Sequence, residues 1–232
     1  MLVYGKNVLR ELLNSDTKIN SITLSDSFND KELLSLIDKK HLKVNYRDKN
    51  QLDRLCNNNS QGVILDIEED FYIDLKEILN DNNSNFIVML DHIEDPHNFG
   101  AIIRTSECAG VNYIIIPKKG NVEVNATVMK TSAGALTNTK ICVVPNLNNT
   151  IDALKKAGYW VVGTDADGED YTKINYEGKV VLVIGSEGYG LKELVRKSCD
   201  FVASIPMKGK VNSLNASVAA GIMIYEVLKT RK

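Results

Sequence analysis

The chain is short of the residues that usually announce a chemistry. Its four cysteines, Cys56, Cys108, Cys142 and Cys199, lie far apart and form no C-x-x-C pair, so they read as core thiols of a reducing compartment. The three histidines, His41, His92 and His97, show no metal-ligand spacing, and no metal is expected. No apolar run approaches the ~20 residues of a membrane span. The opening Met1-Leu2-Val3-Tyr4-Gly5-Lys6 lacks the basic region, apolar core and cleavage site of a signal peptide. A cytoplasmic protein is therefore expected, and triplets such as Asn125-Ala126-Thr127 are chance sequons. Neither G-x-G-x-x-G nor the Lys-Ser/Thr of a P-loop occurs at the glycine-rich turn discussed below.

A basic excess is missing too. The formal net charge of −2 speaks against an obvious nucleic-acid binder. Its distribution is uneven, however. Residues 1–54 hold ten Lys/Arg against eight Asp/Glu, whereas residues 66–81 hold seven acids and only Lys76. Much of the acidity sits in one short stretch.

What is present is rhythm. In the first 67 residues, helix-like spacing at Asn7–Leu13, Asp30–Asp38 and Asn50–Leu55 alternates with strand-like Ser21–Ser25, Lys43–Tyr46 and Gln61–Ile67. This predicts a small α/β/α unit over 1–67. Residues 68–84, acidic and then rich in Asn, read as a linker with one short helix around Leu75–Leu79. From Phe86 onward the apolar runs Phe86–Leu90 and Tyr113–Ile116 flank a helix over Pro96–Ala109. Helical and strand-like segments continue through Val124–Lys130, Lys140–Val144, Ile151–Ala157, Trp160–Gly163, Val180–Ile184, Leu191–Lys197 and Phe201–Ile205, and a final helix runs over about Ala216–Lys229. That alternation predicts an α/β domain over 85–232 with a largely parallel sheet covered on both faces.

Three segments of this second part carry polar residues where strands give way to helices. In Asp91–Thr105, Asp95 suits an N-cap and Pro96 the first helical position. Phe99, Ile102, Ile103 and Ser106 share one helical face, with Arg104 turned away; the bland account is a surface pair of Arg104 with Glu107. In Val180–Leu191 a buried strand enters the turn Gly185-Ser186-Glu187-Gly188-Tyr189-Gly190, where glycines permit positive φ and close ligand approach. In Ile205–Gly221 the residues Ser213, Asn215 and Ser217 precede a helix apolar on nearly all sides; capping accounts for one of the three. The run Asp165-Ala166-Asp167-Gly168-Glu169-Asp170 is not a calcium loop, because the bidentate Glu it needs falls on Tyr176, and a solvated turn is expected there.

In this order the three segments resemble the three motifs of the SpoU/TrmH branch of the SPOUT RNA methyltransferases over residues 86–232. Met129-Lys130-Thr131-Ser132-Ala133-Gly134-Ala135 fits the Ser-Ala-Gly-Ala segment of that family, and Val3-Tyr4-Gly5-Lys6-Asn7 with Gln61-Gly62-Val63 resembles its L30e-like substrate-binding domain. The whole arrangement is most similar to the members that methylate a guanosine ribose in the peptidyl-transferase region of 23S rRNA.

The resemblance implies a SPOUT α/β-knot domain with a deep C-terminal trefoil knot, an exception to the rule that chains do not thread loops. It implies S-adenosylmethionine as cofactor, held by backbone groups near Gly185, Ile205 and Leu214, a homodimer, and RNA as partner. Asn98, Arg104, Glu187, Ser213 and Asn215 match the family's active-site positions. A guanidinium gives up its proton with great difficulty, so Arg104 is expected to bind phosphate and 2′-oxygen and polarise the hydroxyl rather than act as a free base. Asn98 and Glu187 are expected to hold the loop and Arg104, and Ser213 and Asn215 to fix the third-motif loop. The competing readings are a tRNA or other rRNA target, a non-catalytic RNA-binding assembly factor, and a nucleotide-binding α/β enzyme.

Overall fold

The computed structural model describes residues 1–56, 60–68, 71–111, 113–210 and 213–231. Glu69 and Asp70 of the expected linker, and Val211 and Asn212 of the third motif, lie outside the described residues.

The first four strands, β1 (Leu2–Tyr4), β2 (Ile19–Ser25), β3 (Val44–Arg47) and β4 (Val63–Ile67), form one sheet in the order β1-β4-β2-β3. β4 is antiparallel to both neighbours, and β2 and β3 are parallel. Helix α1 (Lys6–Asn14) buries Val8, Leu9, Leu12 and Leu13, the face the spacing predicts. Helix α2 (Lys31–Lys39) starts at Asp30, whose side chain accepts from the Leu33 N–H, and α3 (Lys49–Leu55) starts at Asp48, which accepts from Asn50 and Gln51. Each cap satisfies N–H groups that the first helical turn leaves without partners.

The second sheet has seven strands: β5 (Tyr72–Ile73), β6 (Phe86–Asp91), β7 (Tyr113–Pro117), β8 (Lys140–Val144), β9 (Trp160–Asp170), β10 (Val180–Gly185) and β11 (Phe201–Ser204). Their order is β11-β9-β10-β6-β7-β8-β5, and every pairing is parallel. Alternate residues of the central strands go to opposite faces. Phe86, Val88, Leu90, Ile114, Ile116, Val180, Leu182 and Ile184 join one core; Ile87, Met89, Ile115, Val181 and Val183 join the other. Burial on both faces is why these strands read as continuous apolar runs. The first core is covered by α5 (Pro96–Cys108), α6 (Ala126–Thr131) and α9 (Ala216–Lys229); the second by α4 (Leu75–Asn80), α7 (Leu147–Lys156) and α8 (Glu193–Ser198).

The described residues of 68–84, expected as a linker with one short helix around Leu75–Leu79, hold that helix as α4 and add β5 to this sheet. β5 pairs with β8 through Tyr72↔Ile141 and Ile73↔Cys142, and α4 buries Ile78 behind an Asp74/Glu77 capping box. The expected solvated turn at Asp165–Asp170 is likewise corrected. It is the second half of β9, where a register shift lets Glu169 and Asp170 face Ala203 and Ser204 of β11. A strand this polar on a sheet margin has no apolar alternation to betray it. The cysteines are all free, but Cys108 is exposed rather than a core thiol. Among the described residues no helix is long and apolar enough to cross a membrane.

Two glycines fix how the pieces meet. A Cβ on Gly100 of α5 would stand 2.6 Å from Thr131 Cβ and 2.9 Å from the Val128 carbonyl oxygen, so α5 and α6 touch backbone to backbone. Gly134, at φ +88°, presses on Glu11 of α1, which seats the first unit on the Ser132–Ala135 turn.

Candidate active site

The chain lays down β6, β7 and β8 in one direction, then crosses to β9 and returns with β10 beside β6. The strand order reverses there, and in open parallel sheets the crevice beyond the carboxyl ends at such a point is where ligands sit. Gly185 pairs with Asp91 at that end. A cleft of about 430 Å³ opens above it, lined by Asp91, His92, Asn98, Glu187, Tyr189 and Lys192 among others.

Three elements deliver its polar rim. Asp95 caps α5, accepting from His97 and Asn98 at 2.7 and 2.8 Å, and so sets Asn98 on the first turn. Glu187 stands on the turn after β10, and Asn215 caps α9 by accepting from Ser217 N–H at 3.0 Å. These three side chains meet. Asn215 Nδ2 donates to Asn98 Oδ1 at 2.9 Å and to Glu187 Oε2 at 3.3 Å, and Asn98 Nδ2 donates to Glu187 Oε2 at 3.3 Å. The carboxylate takes two amide donors, a charge-assisted arrangement stronger than neutral pairs.

The remaining expected residues do not join them. Arg104 is exposed on α5, forms no hydrogen bond or ion pair with a described residue, and does not line the cleft. Glu187 and Asn98 hold each other and Asn215, not Arg104, because Arg104 lies more than a helical turn beyond Asn98. Nor does Arg104 pair with Glu107, which accepts instead from Asn138 at 3.2 Å. Ser213 is exposed, with no hydrogen bond to a described residue. Capping takes up one of the three third-motif residues, Asn215, to whose Oδ1 the Ser217 hydroxyl also donates at 2.6 Å.

Gly185, Ile205 and Leu214 lie outside the lining of this cleft. Gly185 is required by its own turn: a Cβ there would stand 2.3 Å from the Gly190 carbonyl carbon. Ile205 and Leu214 are half-buried on the segments that leave β11 and lead into α9. Half-buried aliphatic side chains beside loop backbone form the mix of apolar surface and main-chain donors and acceptors that a small-molecule site needs.

Residue-by-residue reading did not single out Asp91, His92 and Lys192. The Asp91 carboxylate, 1% exposed, accepts from the Lys192 N–H at 2.7 Å and from His92 Nδ1–H. The other ring nitrogen of His92 faces Lys192 Nζ and, since an ammonium only donates, accepts from it. The signal was a carboxylate closing an otherwise apolar strand: a buried charge demands partners. His92 sits at φ +65°, packed against Gly120, and Ile93 N–H donates to Asn121 Oδ1 at 2.9 Å, tying this loop to the one after β7.

Residues 85–225 match the SpoU rRNA Methylase family, and residues 2–73 match the domain described as RNA 2′-O ribose methyltransferase substrate binding. The chain is 38% identical over 237 residues to a putative TrmH family tRNA/rRNA methyltransferase, YacO, of Bacillus subtilis, covering 99% of this chain and 95% of that protein. Its fold is similar to that of the SpoU methyltransferase AviRb from Streptomyces viridochromogenes in complex with AdoMet (TM-score 0.84, 23% identity, 100% of this chain and 90% of that one). It is also similar to an AdoMet-bound rRNA methyltransferase from Sinorhizobium meliloti (TM-score 0.84, 26% identity, 100% and 87%).

Proposed function

Because the chain belongs to the SpoU rRNA methylase family, RNA methyltransferases of the SpoU/TrmH kind that use S-adenosylmethionine, we propose that it methylates a ribose 2′-hydroxyl of RNA, with a guanosine of 23S rRNA as the target. The observation that carries this reading is the meeting of Asn98, Glu187 and Asn215, one from each motif, at the switch point of the sheet.

The residues present fit the cofactor. Gly185, Ile205 and Leu214, at the ends of β10 and β11 and before α9, would hold it through apolar contact and loop backbone. When bound, S-adenosylmethionine supplies the methyl group. The chain's own residues do the rest by positioning, which can contribute roughly 7–11 kcal/mol when reactants are well oriented. Asn98, Glu187 and Asn215 brace the three loops against one another, and Ser213 contributes its hydroxyl to the third-motif loop. Arg104 holds the phosphate and the 2′-oxygen and polarises the hydroxyl, whose proton leaves to phosphate or water.

Arg104 lies off its own chain's cleft, and this supports a homodimer in which it serves the partner's. Its neighbour Thr105 faces Gly221 of α9 across room for a methyl group, and beside it α9 shows a second apolar face, with Val218 and Tyr225 about half exposed and Ile222 between them. One face of α9 covers the sheet; the other is left for a second copy. Residues 1–67 are proposed to bind the RNA and residues 85–232 to carry the chemistry, with the C-terminal segments forming the knot.

The test is methyl transfer from S-adenosylmethionine to rRNA and tRNA of a strain lacking the gene, followed by nucleoside analysis. Expected is 2′-O-methylguanosine in 23S rRNA. Label confined to tRNA would move the target, and a base-methylated product would overturn the ribose assignment. No transfer to either RNA, with no calorimetric binding of S-adenosylmethionine, would leave a non-catalytic RNA-binding factor.

A further inference from the structure

Tyr189 is the most exposed large hydrophobic side chain among the described residues, at 93%, and it also lines the cleft. An aromatic ring gains by burial and normally finds it. Here the surrounding chain holds the ring out. Tyr189 lies between Gly188 at φ +89° and Gly190 at φ +65°, in a turn closed by two backbone bonds, Ser186 N–H to Gly190 C=O at 3.0 Å and Gly190 N–H to Ser186 C=O at 3.1 Å. The turn is clamped from below, where Gly185 leaves room only for Gly190, and from the side, where Glu187 is fixed by Asn98 and Asn215. Neither ring face carries an aromatic or cationic side chain among the described residues. The result is a two-sided π-surface carried on a held turn beside the three braced loops.

We propose that Tyr189 is the platform on which an unpaired RNA base stacks when its ribose enters the cleft, an assignment that rests on the RNA-binding part of the function proposed above. A ribose can be brought to a cleft floor only if its nucleotide leaves the helical stack, and proteins hold such splayed bases on aromatic rings. A backbone already fixed by its turn loses little freedom on binding, which leaves only the ring's own rotamer to be ordered. Lys192, which also lines the cleft, offers a cation for the adjoining phosphate.

The experiment uses the full chain and unmodified rRNA and tRNA from a strain lacking the gene. Tyr189→Leu is expected to lower kcat/KM for RNA by about 5- to 140-fold, the usual range for one lost base–aromatic stack. S-adenosylmethionine affinity, read by calorimetry, stays put, and Tyr189→Phe, which keeps the ring, restores transfer. In a second arm the single tryptophan is moved by the double change Trp160→Phe and Tyr189→Trp, and its emission is expected to be quenched by the same RNA. That arm needs no methyl transfer. Quenching in a protein that transfers no methyl group would sustain the platform and remove the enzyme reading. Normal transfer by Tyr189→Leu, with unquenched emission at saturating RNA, overturns the platform alone. A Tyr189→Leu protein that becomes monomeric also overturns it and assigns the ring to a subunit contact.

Discussion

Asn215 reaches across 117 positions of sequence to donate its amide to Asn98 at 2.9 Å, while its own carbonyl oxygen caps the last helix. One small side chain thus serves both a helix end and the brace between motifs. Its acceptor side belongs to stability and its donor side to the site.

The two duties can be separated. Asn215→Ala should lower unfolding free energy by about 1 kcal/mol, the usual cost of a lost N-cap. Asn215→Ser keeps a capping oxygen and should stay within a few tenths of wild type. Both lose the amide bridge to Asn98 and Glu187, so both should lose methyl transfer to a similar degree. Urea denaturation beside a transfer assay checks this; serine restoring activity would confine Asn215 to its cap.

Gly100→Ala should be costly although alanine is the better helix former. The added methyl meets Thr131 Cβ and the Val128 carbonyl well inside contact distance, and neither is the end of a flexible chain. Overpacking of this kind costs roughly 1–3 kcal/mol, more than the ~1 kcal/mol that helix propensity returns. A lower urea midpoint with an unchanged slope would show it.

Legibility in the sequence followed how local each cause was. The last helix is predicted at Ala216–Lys229 and found there, because an Asn cap and a sustained apolar period specify it within its own residues. The central strands are legible for the same reason. The two-residue β5 is not, since only its pairing with β8 makes it a strand, and the polar end of β9 is not, since only β11 reveals it. In the site, the family resemblance pointed to Asn98, Glu187 and Asn215, whose side chains meet in the structure. Neither the resemblance nor the spacing pointed to the Asp91–His92–Lys192 contacts, two of which join residues about 100 positions apart, nor to the lack of partners for Arg104 among the described residues.

Tyr113 gives a handle on alkaline stability. Burial first, and then its hydrogen bond to Asp81 at 2.8 Å, push its phenol up from near 10 to about 12. The folded state therefore holds the proton more tightly than the unfolded chain. The resulting stability is fully present below pH 10 and is lost as pH rises through about 12. Tyr113→Phe should be less stable than wild type at pH 8 and should lose less on going to pH 11. Parallel loss in both proteins, measured by urea denaturation, would show that the phenol is not held this way.

Arg104 tests the active site most directly. It is exposed and binds no described side chain, so Arg104→Ala should stay within about 0.5 kcal/mol of wild-type stability. Removing one preorganised cation from beside a reacting oxygen costs roughly 10²–10³ in rate, and lysine should not replace a planar fork that contacts two oxygens. The location of its action can be read by mixing. In a dimer where Arg104 works across the interface, co-expressed Arg104→Ala and Glu187→Ala chains rebuild one complete site per mixed dimer. Its Arg104 comes from the Glu187→Ala chain and its Glu187 from the Arg104→Ala chain. With random pairing of two-fold dimers about a quarter of wild-type sites return, although each variant alone is nearly inactive. If Arg104 serves its own chain's cleft, no mixed dimer contains an intact site and activity stays at the level of the separate variants. The second outcome would require α5 to carry Arg104 toward the cleft beside Asn98 when RNA binds, and it would remove the main support for a shared active site.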